Sequence, residues 1–183
     1  MKPKRSKSLT LMNSGSVIYE ESGKNMNWQE VCDDKILQNL PFKIELNQWG
    51  QIVMSPAKNK HAIYQGLIQA LIQSKLKHGV AYPECPIQTE DNVKVADVVW
   101  VSPQRYQQIQ NEDVCSIAPE ICVEIKSASN TKAEMLFKKD LYLKAGAEEF
   151  WFCNESGEMA FYNRAEQLEI SAIIPDFPNR IEV

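Results

Sequence analysis

Two carboxylates inside apolar, strand-like runs constrain the fold of this chain most strongly. Asp97 lies within the run 93–101, and Glu124 follows 26 intervening residues later within the run 121–126. An unpaired carboxylate is costly to bury, so each one needs a lysine or a metal ion to neutralise it. Because alternate residues of a strand share a face, Lys126 emerges on the same side as Glu124. We therefore expect the two strands to be neighbours in one sheet.

Helix and hairpin signals precede these runs. Asn27 and Glu30 have the spacing of a capping box, which predicts a helix that stops before Pro41. Residues 44–54 then have the composition of a hairpin. Apolar side chains at three- and four-residue spacing predict an amphipathic helix over residues 58–77.

The second half of the chain continues this alternation. Residues 81–88 and 93–101 predict a second hairpin, and Ser102 followed by a proline predicts a short helix. Thr131 and Glu134 form a second capping box, which opens a helix between two further predicted strands. The expected fold class is therefore α/β, with a central mixed β-sheet flanked by helices.

Composition limits the domain count and the cellular setting. With 183 residues, 44% of them hydrophobic, the chain suits one domain, which we place at residues 27–183 after a flexible basic arm at residues 1–26. The sequence has neither a run of 18 apolar residues nor a signal peptide, so we expect no membrane association. The five cysteines are scattered, which favours buried free thiols and a cytoplasmic location. Because the net charge is −4, any DNA contact must be local.

The carboxylate pair has the chemistry of a magnesium site. A Mg²⁺ ion takes one or two protein carboxylates together with water and phosphate oxygens, so Asp97 and Glu124 could hold it, helped by the Ile125 carbonyl. Lys126 could then stand beside an attacking water and offset developing charge. The same spacing also allows a purely structural ion pair, in which Lys126 neutralises one buried acid.

Three segments carry a resemblance to a known family. They are VADVVWVS at residues 95–102, PEICVEIKS at 119–127 and AGAEEFW at 145–151. The order strand–Asp, then strand–Glu-x-Lys, resembles the PD-(D/E)-x-K nuclease superfamily, and the three segments resemble its restriction endonuclease family called Uma-two. The resemblance covers about residues 42–165. It implies the restriction-endonuclease-like fold, with Asp97, Glu124 and Lys126 as the catalytic set.

The resemblance also directs attention to further residues. Nucleases of this superfamily often place an acid on the helix before the hairpin, and this helix has none, so Gln65 is its nearest substitute. Glu84 would lie opposite Asp97 if the hairpin turns tightly. Lys138 could bind a phosphate or only cover the sheet. His61 is at a position where the family often has a histidine, but an exposed or packing histidine is the simpler interpretation.

The expected function is a metal-dependent endonuclease that hydrolyses phosphodiester bonds in DNA with Mg²⁺ or Mn²⁺. A homodimer is expected by analogy, because two copies of one site are a simple way to cut both strands. The first alternative is a catalytically inactive nuclease-fold module that binds DNA or a protein partner. The second is a hydrolase that acts on another phosphate ester. Metal binding separates the enzyme from the inactive module.

Overall fold

The computed structural model describes residues 7–11, 16–21, 25–56, 58–127 and 130–183, which form ten strands and four α-helices. The strands are β1 Lys7–Leu11, β2 Val17–Glu21, β3 Phe42–Leu46, β4 Ile52–Pro56, β5 Val80–Thr89, β6 Asn92–Val101, β7 Ile121–Ile125, β8 Glu149–Cys153, β9 Met159–Tyr162 and β10 Gln167–Leu168. The helices are α1 Trp28–Asp33, α2 Asn59–Lys75, α3 Pro103–Ile109 and α4 Lys132–Lys144.

A six-stranded sheet with the order β10-β9-β8-β7-β6-β5 forms the centre of the fold. Strands β7 and β8 are parallel because α4 connects them as a crossover, and the other neighbouring pairs are antiparallel. The hairpin predicted before Ser102 is formed by β5 and β6, with Thr89 paired to Asn92 at its turn. The predicted α/β class, with a central mixed sheet flanked by helices, is confirmed.

Apolar layers cover both faces of this sheet. Helix α2 buries Tyr64, Ile68 and Ile72 against the face that carries Trp151. Tyr142 of α4 packs on the opposite face, in the cluster that contains Phe150. The alternation of side chains along β8 places Phe150 and Trp151 on different faces of the sheet. Burying both faces holds the middle of β6 and the C-terminal end of β7 in a fixed position, and the site lies there.

The span of α2 agrees with the prediction, but the face that the helix buries differs from the predicted one. Ile63 and Leu67, which the periodicity assigned to the apolar side, are 38% and 36% exposed. The glutamines along α2 instead face the neighbouring strand, where Gln69 Nε2 donates to the Ala81 carbonyl at 3.1 Å and Gln73 Oε1 accepts from the Ala81 N–H at 2.9 Å. A line of amides therefore attaches the helix to the exposed backbone of β5, since edge-strand groups need partners.

A second sheet, with the order β1-β2-β4-β3, changes the prediction for the N-terminal segment. Strands β1 and β2 lie within residues 1–26, where the sequence predicted an irregular arm, and β2 pairs with β4 over three residues. This pairing satisfies the backbone of β4, which would otherwise be an open edge. Residues 1–6, which contain most of the basic side chains of the predicted arm, lie outside the described residues.

Helix starts agree with the sequence more closely than helix ends. Both predicted capping boxes are formed, at Asn27 with Glu30 and at Thr131 with Glu134. Helix α1 is shorter than predicted because Asp34 Oδ1 accepts from two backbone N–H groups and starts a separate 3₁₀ turn, Leu37–Asn39. In the described part of the chain, no helix has the length and apolarity needed to span a membrane.

Candidate active site

Asp97 and Glu124 face each other across neighbouring strands. Val98 pairs with Val123 in the antiparallel ladder of β6 and β7, so the residue before Val98 and the residue after Val123 lie on the same rung. Both acidic residues are buried, with 1% and 2% of their surface exposed. The predicted proximity of the two strands is confirmed, and the ladder is the cause.

Each oxygen of Asp97 has a separate set of partners. Oδ2 accepts the Ile125 N–H at 2.7 Å, which ties the carboxylate to β7. Oδ1 lies 2.5 Å from Lys43 Nζ and 3.3 Å from His61 Nε2. One oxygen is therefore held by backbone, while the other is directed toward cationic side chains.

Glu124 is held from the opposite side, by α4. Tyr142 donates its hydroxyl to Oε1 at 2.7 Å, and Lys138 Nζ lies 3.2 Å from the same oxygen. Oε2 lies 3.8 Å from Lys43 Nζ. Lys43 therefore contacts both carboxylates with one ammonium group.

Strand β3 brings two charged residues that sequence reasoning did not select. Lys43 and Glu45 are two positions apart and share a face, as expected for a strand. Glu45 Oε1 accepts from Lys138 Nζ at 2.6 Å and from the Val95 N–H at 3.0 Å. The signal that could have found them is the charged–apolar–charged pattern of residues 43–45, which is the same pattern that singled out residues 124–126.

Lys126 forms its ion pair outside the carboxylate pair. It follows the last residue of β7, where its N–H donates to the Cys153 carbonyl at 2.7 Å. Its Nζ is 3.9 Å from Glu155 Oε2, in the turn after β8, and its side chain is 28% exposed. Of the described lysines, Lys43 and Lys138 contact the carboxylate pair, whereas the ion pair of Lys126 is with Glu155.

Gln65 and Glu84, which the sequence analysis also considered, lie beside Asp97. Gln65 Nε2 donates to the Asp97 carbonyl at 2.7 Å and to Glu84 Oε1 at 2.6 Å. The pairing of β5 with β6 places Glu84 opposite Asp97, since the residues on either side of each are paired. Glu84 has a left-handed backbone with φ of 53°, an uncommon conformation for a residue other than glycine.

The lysines at this site remain cationic. Burial lowers the pKa of Lys138, but Glu124 and Glu45 outweigh it, and the net pKa is raised. The pKa of Lys43 is raised well above its usual value because Asp97 and then Glu124 outweigh the effect of burial. Both side chains therefore carry a proton at neutral pH.

The two carboxylates have opposite pKa shifts. Burial raises the pKa of Asp97, but Lys43 and then His61 outweigh it, so the net pKa is lowered. For Glu124, burial is the largest influence, and it raises the pKa despite the nearby Lys138 and Lys43. Asp97 is therefore ionised over the whole physiological range, while the surroundings of Glu124 favour its protonated form more than water does.

A cavity of about 680 Å³ opens onto these groups. Its wall includes Lys43, His61, Asp97 and Glu124, and Lys126 is not among its lining residues. The buried charges therefore lie at the wall of an open cavity, where a ligand can reach them.

The donor set fits a hard divalent cation through two oxygens. Asp97 Oδ1 and Glu124 Oε2 already share one cationic group, Lys43 Nζ. Mg²⁺ needs only one or two protein carboxylates because water and substrate oxygens complete its octahedron. Within the described residues there is no cluster of three or more His, Cys, Asp or Glu side chains arranged for a metal ion. The fit therefore rests on the two-carboxylate mode.

The mixed sheet, with two carboxylates paired on the same rung of β6 and β7, defines the class of restriction-endonuclease-like folds. The particular family follows from the sequence: residues 29–179 match the model of the Uma2 family, described as "Putative restriction endonuclease", and this chain belongs to that family. The family supports a nuclease, that is, a hydrolase of ester bonds.

The fold is similar to that of a solved structure. The crystal structure of a "putative nuclease belonging to DUF820 from Anabaena variabilis" has 21% sequence identity and a TM-score of 0.60. The match covers 68% of this chain and 74% of the other. No curated protein matches this chain.

Proposed function

We propose that this protein is a metal-dependent endonuclease that hydrolyses phosphodiester bonds in DNA. The observation that carries the proposal is that Asp97 Oδ1 and Glu124 Oε2 face one cation position in the wall of an open cavity. Asp97 and Glu124 would hold Mg²⁺ or Mn²⁺, with the Ile125 carbonyl as a further ligand. The bound metal would lower the pKa of a coordinated water and supply the nucleophile at neutral pH.

Lys138 is the lysine that we assign to the reaction. Glu45 and Glu124 fix its ammonium at 2.6 and 3.2 Å, so its position is set before substrate binds. Because its pKa is raised, it acts as a fixed positive charge toward the phosphate and not as a proton acceptor. The sequence pattern assigned this role to Lys126, and cleavage by Lys138→Met and Lys126→Met distinguishes the two lysines.

Asp97 depends on its backbone contact for orientation. The Ile125 N–H holds Oδ2, so Oδ1 is directed toward the cation position without loss of side-chain entropy on binding. His61 lies 3.3 Å from the same oxygen, and its pKa is raised because the hydrogen bond to Asp97 outweighs burial. A protonated His61 therefore competes with a metal for Asp97 at low pH.

The test is cleavage of supercoiled plasmid by purified protein with Mg²⁺ or Mn²⁺, beside an Asp97→Asn variant and a chelator control. We expect nicked and then linear DNA from the wild type, and no cleavage by the variant or with chelator. Equal cleavage by wild type and Asp97→Asn, which would indicate a contaminating nuclease, or no cleavage with either metal, contradicts the proposal.

One observation favours an inactive binding module as a second candidate. Lys43 and Lys138 together neutralise much of the acidic charge at the site, so the fold does not need a metal to compensate it. Such a module would bind DNA or a protein partner without cutting. Binding of labelled DNA that persists with chelator, in the absence of any cleavage, would identify it.

Two further properties belong to the same proposal. A homodimer would bring two copies of the site to the two DNA strands, which size-exclusion chromatography with light scattering can test. A cytoplasmic location is supported by the five cysteines, all of which are free thiols. Neither property is needed for the chemistry at a single site.

A further inference from the structure

The side chain of Lys43 occupies a position that a metal ion would need. Its Nζ lies 2.5 Å from Asp97 Oδ1 and 3.8 Å from Glu124 Oε2. These are the two oxygens assigned above to the metal. Only 16% of the Lys43 side chain is exposed, so the site encloses most of it.

The other oxygen of each carboxylate is already held by a hydrogen-bond donor. Asp97 Oδ2 accepts the Ile125 N–H, and Glu124 Oε1 accepts the Tyr142 hydroxyl. Both donors are fixed, one by the ladder of the sheet and the other by burial of its ring in the core. A cation that bridges the two carboxylates without displacing these donors uses Asp97 Oδ1 and Glu124 Oε2, the oxygens that Lys43 contacts. Lys138 Nζ also lies 3.3 Å from Oε2, but none of the described side-chain contacts joins it to Asp97, so it does not bridge the two acids.

An ammonium and a divalent ion cannot share this position. Two cations at contact distance repel strongly where water is excluded, and the repulsion is larger for a double charge. Lysine is attached through a flexible chain of four methylene groups, so its ammonium can leave without movement of the backbone of β3. Displacement of the side chain is thus the route that costs least.

We propose that Lys43 is an internal counter-ion of the metal site: it neutralises Asp97 and Glu124 in the metal-free protein and must leave before a divalent ion can bind. The proposal rests on the proposed metal-dependent function. It predicts that the wild-type chain binds metal less tightly than its carboxylates alone would allow. If the ammonium occupies the position about 90% of the time, the apparent metal affinity falls about tenfold.

The first test compares Mn²⁺ binding to wild type, Lys43→Met and Lys58→Met by isothermal titration calorimetry. Lys58 lines the same cavity, and no described ion pair joins it to either carboxylate, so its variant controls for the loss of one positive charge. We expect Lys43→Met to bind Mn²⁺ about tenfold more tightly or better. Lys58→Met should remain close to wild type.

A second measurement uses the wild-type protein, in case Lys43→Met does not fold. Lysines are acetylated at low reagent concentration with and without saturating Mg²⁺, and the modified peptides are quantified by mass spectrometry. Displacement by metal should expose the Lys43 amine and increase its acetylation severalfold, while Lys58 changes little. This result is independent of any cleavage activity.

The outcomes separate this inference from the proposed function. Tighter binding by Lys43→Met, or metal-induced acetylation of Lys43, supports the exchange. Wild type that binds Mn²⁺ with an affinity equal to or better than that of Lys43→Met, and without a change in Lys43 acetylation, overturns the inference but leaves the metal-dependent function standing. Absence of metal binding in both proteins overturns both.

Discussion

At the residue scale, Lys138 and Lys126 provide the clearest contrast in stability. Lys138 is 14% exposed and contacts the buried Glu124 and the partly buried Glu45, whereas Lys126 is 28% exposed and pairs with a half-exposed glutamate. Removing Lys138 should cost about 3–5 kcal/mol because the buried Glu124 and the partly buried Glu45 both lose a partner. Removing Lys126 should cost less than about 1 kcal/mol, as for other exposed pairs.

Urea unfolding of Lys138→Met and Lys126→Met without metal measures this difference. Added Mg²⁺ should restore part of the loss in Lys138→Met, because a bound metal neutralises Glu124. A large loss for Lys126→Met together with a small loss for Lys138→Met would contradict the ion pairs described here.

The same two lysines should also differ in how much their removal slows cleavage. With folding confirmed for both variants, Lys138→Met should lower kcat by about 10²–10³, the usual effect of losing one preorganised group that stabilises transition-state charge. Lys126→Met should cleave nearly as fast as wild type because its ammonium lies away from the carboxylates. The measurement is the rate of plasmid nicking at saturating metal, and the reverse ranking would return the role to Lys126.

Glu124 predicts a pH-dependent effect on stability. Burial raises its pKa in the folded chain, so the folded protein holds this proton more tightly than the unfolded chain does. The contribution of Glu124 to stability is therefore complete below the unfolded pKa and is lost as pH rises through the folded pKa. Glu124→Gln, which resembles the protonated form, should melt at a higher temperature than wild type at pH 7 without metal.

Melting curves of both proteins from pH 4 to pH 8 check the direction of this difference in melting temperature. The advantage of Glu124→Gln should shrink toward about pH 4, where the wild-type glutamate is itself protonated. Added Mg²⁺ should raise the melting temperature of wild type but not of the variant. A variant that melts lower than wild type at pH 7 would show that the two lysines outweigh burial.

At the scale of elements, α2 is attached to the sheet by amide side chains. Gln73 donates to the Gly79 carbonyl and accepts the Ala81 N–H, so it bridges the connection from α2 to β5. Gln73→Ala should destabilise the fold by about 1–3 kcal/mol, since it leaves a partly buried N–H without its partner. The neighbouring Ser74→Ala, at an exposed position on the same turn, is the matched control in urea unfolding. Equal effects of the two variants would contradict the bridging role.

Local chemistry explains why the elements could be predicted. The capping boxes and the turn between β5 and β6 depend on residues that are close in sequence, so their signals are readable without the fold. The contact between Lys43 and Asp97 joins residues 54 positions apart, and only the packing of β3 against β6 creates it. The buried carboxylates likewise indicated that a lysine or a metal ion should neutralise them, but spacing could not distinguish a lysine on the same strand from one on α4.

At the scale of the whole molecule, the smaller sheet completes the site. Strand β3 supplies Lys43 and Glu45, β4 pairs with β3, and β2 pairs with β4. The sequence suggested a flexible arm here because residues 1–26 lack a clear hydrophobic period, and pairing with a distant strand leaves no local signature. The smaller sheet therefore connects the N-terminal segment to the stability of the site.

Removal of residues 1–24 tests this connection. The truncated protein should melt at a lower temperature and associate more readily, because β4 then has an unpaired edge. Differential scanning fluorimetry and light scattering measure the two effects. A truncated protein with an unchanged melting temperature and an unchanged association state would favour the flexible arm predicted from the sequence.

Mn²⁺ titration by calorimetry measures whether Asp97 and Glu124 share a divalent metal ion. Wild type is compared with Asp97→Asn, Glu124→Gln and the control Glu155→Gln, an exposed acid that pairs with Lys126. Wild type and the control should bind Mn²⁺ alike, and Asp97→Asn and Glu124→Gln should each lose binding, because each removes one of the two proposed ligands. Unchanged Mn²⁺ binding by Asp97→Asn and Glu124→Gln would contradict the shared metal ion.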